Sequence, residues 1–105
     1  MGFSVVAGNF RSQAATMVIE PGEKEGGAEN NHRGADQWLF IVAGKGSATI
    51  DGEKISLAKN DLILIERGQK HEIRNIGKIK LVTLNFYVPP AYTSSGHERL
   101  AAKPK

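Results

Sequence analysis

Apolar residues along this chain come in short runs broken by glycine and polar residues, and no stretch of eleven or more repeats its apolar positions at helical spacing. That pattern predicts an all-β chain. The expected strands are Ser4–Ala7, Ala14–Glu20 ending at Pro21-Gly22, Trp38–Val42 ending at Gly44, Gly46–Ile50, Lys54–Leu57, Leu62–Glu66, Glu72–Asn75 and Lys80–Val88 ending at Pro89-Pro90. Asp51-Gly52 between two of them predicts a hairpin, because a type I′ turn needs positive φ at both central residues.

Two runs, Trp38-Leu39-Phe40-Ile41-Val42 and Leu62-Ile63-Leu64-Ile65, are apolar at every position, so both of their faces need cover. One face belongs to the core. The other is covered by a second subunit, making a homodimer the expectation, or by residues 1–10 or Val88–Tyr92 of the same chain. Trp38 and Phe40 face opposite to Gln37, as subunit-interface anchors or as inter-sheet packing. The last strand alternates Leu84 and Phe86 with Thr83, Asn85 and Tyr87, and either set can be the inner one. Glu23 to Asp36 reads as a polar, glycine-containing loop too long for a plain connection, which marks it as functional or mobile. Gly44, Gly46 and Gly68 read as turn glycines.

Composition narrows the chemistry. At 105 residues there is room for one domain, expected over residues 1–93 with a poorly ordered basic tail over 94–105. The chain has no cysteine, which removes thiol nucleophiles, thiolate zinc sites and iron–sulfur clusters. Of the three histidines, His97 sits in the tail beside Glu98 and Arg99, leaving His32 and His71 as strong ligands. The net charge of +3 owes +2 to Arg99, Lys103 and Lys105 against Glu98, and no basic stripe is interleaved with aromatics. No nucleic-acid partner is therefore expected. The longest apolar run, Leu62 to Ile65, is too short for a membrane span, and the N-terminus lacks signal-peptide character. Gly2 stands where myristoylation would need it, but Val6 replaces the required Ser or Thr. A cytoplasmic protein with no membrane partner is the expectation.

No Ser/His/Asp set, phosphate-cradling loop or dinucleotide fingerprint is present. What is present is Asn30-x-His32-x4-Gln37-x6-Gly44, and later Gly68-x2-His71-x3-Asn75. The first resembles the leading motif of the cupin superfamily, normally His-x-His, three or four residues, Glu, six residues, Gly. The second resembles its other motif, Pro-x-Gly-x2-His-x3-Asn, and the fifteen residues from Lys45 to Lys59 between them match the short spacing of compact microbial cupins. The resemblance implies a double-stranded β-helix, a jelly-roll barrel of about eight or more short antiparallel strands. It also implies a metal site, carrying the ligand positions onto Asn30, His32, Gln37 and His71. Lys24 and Asn60 replace leading glycines of the motifs, and Glu66 replaces a proline; Asn60 is the mildest change because asparagine tolerates positive φ.

Strand alternation agrees with that set. Asn30 and His32, two apart, share a face if extended, Gln37 shares one with Leu39 and Ile41, and His71 with Ile73. Such a cluster accepts a divalent ion such as Zn, Ni, Fe, Mn or Cu. With amides where the family has a histidine and a carboxylate, the ion's charge is poorly compensated. Asp36 points to the wrong face, and Glu29 reaches inward only if its loop bends. The expected function is a divalent-metal-centred pocket in the barrel mouth binding a small polar metabolite, of the kind that serves a metal-dependent oxygenase or isomerase. The alternative is a non-catalytic binding or sensor module, without metal, in which the His/Gln/Asn cluster hydrogen-bonds its ligand directly. Resemblance alone chooses no reaction and assigns no catalytic residue.

Overall fold

The structure is a computed structural model that describes residues 2–26 and 34–92. Nine strands follow one another along the chain with no helix among the described residues: β1 (Gly2–Gly8), β2 (Gln13–Ile19), β3 (Lys24–Gly26), β4 (Asp36–Ala43), β5 (Gly46–Ile50), β6 (Glu53–Leu57), β7 (Leu62–Ile65), β8 (His71–Asn75) and β9 (Leu81–Val88). All pairings are antiparallel, in a five-stranded sheet ordered β1-β2-β9-β4-β7 and a four-stranded sheet ordered β3-β8-β5-β6. This is the expected double-stranded β-helix.

Each expected strand forms, with ends shifted by a residue or two. The addition is β3, inside the stretch read as a long polar loop: Lys24–Gly26 pairs with β8, with Glu25 opposite Ile73 and Gly26 opposite Glu72. Its composition, Lys-Glu-Gly, carries no β signal, so cross-strand pairing rather than propensity makes it a strand.

The core lies between the sheets. Ile19, Leu39, Ile41, Ile65, Ile73 and Leu81 are buried there, each contributing roughly 1.5–3 kcal/mol relative to exposure. β9 runs through the middle of the larger sheet, and its inner set is Thr83, Asn85 and Tyr87, while Leu84 and Phe86 point outward.

The turn residues behave as their chemistry requires. Asp51 and Gly52 sit at φ 47 and 83°, the pair of positive values expected for the hairpin, and Asn60 and Gly68 also have positive φ. Gly44 (φ 90°) lies so close to β9 that a Cβ there would stand 2.5 Å from the Lys80 carbonyl oxygen. Gly46 departs from the turn reading. It lies inside β5, and its missing side chain makes room for Leu81, whose Cδ2 would be 2.7 Å from a Cβ.

The outer face of the larger sheet is apolar. Trp38 is flanked by Leu64 on β7 and Phe86 on β9, and Phe40 by Leu62 and Leu84. Trp38, Leu62, Leu64, Phe86 and Val88 remain 37–55% exposed. The alternative cover, by the chain's own residues 1–10 or Val88–Tyr92, does not form among the described residues. β1 extends the sheet edge beside β2, and Ala91 and Tyr92 pack with Ala15, Ala35 and Tyr87 at the barrel end.

Candidate functional site

His71 opens β8, and its backbone is set by the turn before it. Asp51 N donates to the Lys70 carbonyl (2.8 Å), Lys70 N donates to Asp51 Oδ1 (2.9 Å), and Gln69 Nε2 reaches Asp51 Oδ2 (3.3 Å). The hairpin turn thus grips the residue before His71 from both sides. The turn itself is closed by Glu66 N donating to Gln69 Oε1 (2.8 Å), and Arg67 N donates to Asp36 Oδ1 (2.8 Å) at the start of β4. Asp36 is therefore spent on holding the turn, on the face opposite to Gln37, as the alternation requires.

The His71 ring is buried, 5% exposed, with Nδ1 3.3 Å from the Gln69 carbonyl oxygen. A carbonyl only accepts, so Nδ1 carries the proton, and in a neutral ring the lone pair is then on Nε2, as in a metal-ligating or hydrogen-bond-accepting histidine.

Gln37 stands two residues before Leu39 on β4 and is buried among the inner side chains. Its Nε2 donates to Asn85 Oδ1 at 2.8 Å, Asn85 Nδ2 donates to Thr83 Oγ1 at 3.0 Å, and Thr83 Oγ1 donates to the Met17 carbonyl at 2.9 Å. Gln37 Oε1 is buried and has no hydrogen-bond partner among the described residues. A buried acceptor left unmade costs about 1–3 kcal/mol, which marks this oxygen as awaiting a donor or a cation.

Asn30, His32 and Glu29 lie outside the described residues. The described ends of that segment are informative. The chain is last described at Gly26, opposite the residue after His71, and is described again from Gly34, three residues before Gln37.

The residue that sequence reasoning missed is Glu25. Directly opposed residues of an antiparallel pair project from the same face, so Glu25 shares the inner face of Ile73 and His71, while Lys24, Glu72 and Arg74 form an ion-paired row outside. Burial raises the Glu25 carboxyl above its ordinary value of 4.5. The signal was the pairing of β3, which the loop reading had hidden.

Folding makes this carboxyl hold its proton more tightly than the unfolded chain does. Stability is therefore lost as pH climbs from about 4.5 through the raised value. Glu25→Gln should raise the thermal midpoint at pH 8 and leave it unchanged at pH 4 by scanning calorimetry. No gain at pH 8 would mean that folding does not desolvate this carboxyl.

Asn75, from the second motif, has a structural task. Its Nδ2 donates to the Ile19 and Ile79 carbonyls, both at 2.8 Å, and its Oδ1 accepts from Gly77 N at 2.8 Å. Gln13 likewise grips the backbone of Tyr92, donating from Nε2 to its carbonyl (2.7 Å) and accepting from its N–H (3.0 Å).

Among the described residues the inner faces offer His71, Gln37 Oε1 and the Glu25 carboxyl as candidate donors. No group of three or more His, Cys, Asp or Glu side chains placed to hold an ion occurs among the described residues. The orphaned oxygen fits a cation, and the inward carboxylate offers the negative charge that the motif lacks.

The model of the family described as "Cupin domain" matches residues 15–87. Over 71 residues the chain is 39% identical to a mannose-1-phosphate guanylyltransferase of Salmonella montevideo, covering 68% of this chain but 15% of that protein. It is 34% identical over 80 residues to an uncharacterized protein of Methanocaldococcus jannaschii, covering 76% of this chain and 62% of the relative. The chain thus spans less than two thirds of the length of these curated relatives. Among solved structures, a protein from Bacillus halodurans superposes with a TM-score of 0.81 at 24% identity, covering 94% of this chain and 76% of the other. KdgF from a Halomonas species gives 0.75 at 19% identity, covering 84% and 77%.

Proposed function

The chain belongs to the cupin-domain family, and from that premise we propose that it binds a small polar metabolite at a divalent-metal-centred pocket in the barrel mouth, held by His71 and Gln37 with His32 and Asn30. The observation that carries the reading is the pair of inward acceptors, His71 with its proton committed to the Gln69 carbonyl and Gln37 Oε1 with no hydrogen-bond partner among the described residues. Glu25 adds an inward carboxylate. Kinship over the family region with a mannose-1-phosphate guanylyltransferase supports an oxygen-rich metabolite as the ligand class.

When bound, the ion would act as a Lewis acid toward a carbonyl or hydroxyl of the ligand, the chemistry of an oxygenase or isomerase. The chain's own share is orientation. The Asp51 grip fixes the His71 backbone, the Gln69 carbonyl fixes the ring tautomer, and the apolar wall of Leu39, Ile65 and Ile73 lowers the dielectric around the site. The other reading is a metal-free binding module using the same groups as hydrogen-bond acceptors.

Elemental analysis of protein purified without a histidine tag separates the two. The expected result is near one equivalent of a divalent transition metal, falling at least tenfold in His71→Ala and in His32→Ala. Metal-free protein that gains no thermal stability from Zn²⁺, Ni²⁺ or Fe²⁺ would leave only the metal-free module.

We also propose that the apolar outer face of the larger sheet is covered by a second copy of the chain. Its three apolar strands, β4, β7 and β9, at about 4.8 Å spacing and about 3.3 Å per residue, give a flat footprint of roughly 300 Å².

A further inference from the structure

The amide of Gln37 has one end that donates and one that accepts, so its partners decide what the barrel interior meets. The bonds leading to it run one way. The Met17 backbone carbonyl can only accept, and it takes the Thr83 hydroxyl proton. With that proton committed, Thr83 Oγ1 accepts from Asn85 Nδ2, so Asn85 offers Oδ1 to Gln37 Nε2, and Gln37 Oε1 is the atom left over. Thr83 and Asn85 are 0% exposed and Gln37 is 2% exposed, so water does not scramble the series.

We propose that Thr83 and Asn85 are positioning residues that turn the acceptor end of Gln37 toward the site, which therefore takes a cation or a hydrogen-bond-donating ligand group at that point and disfavours a carboxylate oxygen. This deepens the pocket reading above and rests on it for the ligand. The orientation itself stands on the hydrogen bonds alone. In the reversed series Thr83 donates to Asn85 Oδ1, Asn85 Nδ2 donates to Gln37 Oε1, and an N–H points inward. That arrangement forfeits the Thr83–Met17 bond, and one neutral hydrogen bond sets a preference of roughly fivefold. Thr83 is thus the element that gives the series its direction.

The test compares wild type, Thr83→Ser and Thr83→Val in the full chain, with two readouts. Without metal, NMR follows proton exchange at Gln37 Nε2: slow in wild type and Thr83→Ser, and about threefold faster in Thr83→Val, where losing the bias raises the inward-facing amide from about one sixth to about one half. With Zn²⁺ as probe, chelator competition should show affinity unchanged in Thr83→Ser and weakened just under twofold in Thr83→Val, as the share of Gln37 with Oε1 inward falls from about five sixths to about one half. Unchanged Gln37 exchange in a folded Thr83→Val overturns the proposal, as does equal loss in Thr83→Ser, which keeps the hydroxyl. If exchange responds as expected while wild type binds no Zn²⁺, the orientation is supported and it is the metal reading that fails.

Discussion

Gln37→Glu is expected to tighten Zn²⁺ binding about ten- to a hundredfold while destabilising the metal-free protein. A carboxylate in place of the neutral amide oxygen compensates part of the ion's double charge in a buried setting, and charged acceptors bind roughly twice as strongly as neutral ones. Without metal the same charge faces Asn85 Oδ1, the acceptor that now receives Gln37 Nε2. Either Asn85 turns over to donate Nδ2, giving up its bond to Thr83 Oγ1, or the buried carboxyl keeps its proton and donates it to Asn85 Oδ1. The cost is of order 2–4 kcal/mol in the metal-free protein at neutral pH, shrinking as the solution is acidified toward the carboxyl's raised pKa. Chelator competition and metal-free thermal melts at pH 8 and pH 5 read both effects. Unchanged Zn²⁺ affinity would mean that Gln37 does not face the ion.

Trp38→Glu should convert a dimer into a folded monomer. Trp38 lies at the middle of the apolar outer face, between Leu64 and Phe86, and is 40% exposed in the single chain. Removing a central tryptophan typically weakens an interface by about 2 kcal/mol or more, and a carboxylate buried against apolar partners adds a desolvation penalty. A shift of more than a hundredfold in dimer dissociation follows from about 3 kcal/mol. Because the side chain points away from the core, the circular dichroism of the variant should match wild type. Sedimentation should give twice the chain mass of 11.4 kDa for wild type and that mass once for the variant. A monomeric wild type would sink the interface.

The strand pattern was readable because it rests on local chemistry. The Asp51-Gly52 turn takes two positive φ values, and Asn60 and Gly68 adopt the left-handed conformation that their motif positions require. The strands of alternating or continuous apolar residues all form. β3 was not readable, since Lys24-Glu25-Gly26 is a strand only by pairing with β8, and with it went the inward Glu25. Which face of β9 turns inward was likewise beyond periodicity. Leu84 and Phe86 are the more apolar set, yet Thr83 and Asn85 go inside because they bond to each other and to Met17 and Gln37 on the neighbouring strands β2 and β4. Of the four ligand positions carried over from the motif, Gln37 and His71 are buried on the inner face, while Asn30 and His32 lie outside the described residues.

The central claim is that His71 presents Nε2 to a divalent ion, and ¹⁵N-edited NMR of the histidine rings during Zn²⁺ titration of metal-free protein tests it most directly. The account predicts that the His71 Nε2 resonance moves to the metal-bound position at one equivalent while Nδ1 keeps its proton and its bond to the Gln69 carbonyl. A His71 ring whose two nitrogens are unmoved at saturating Zn²⁺, or one metallated at Nδ1, would contradict it.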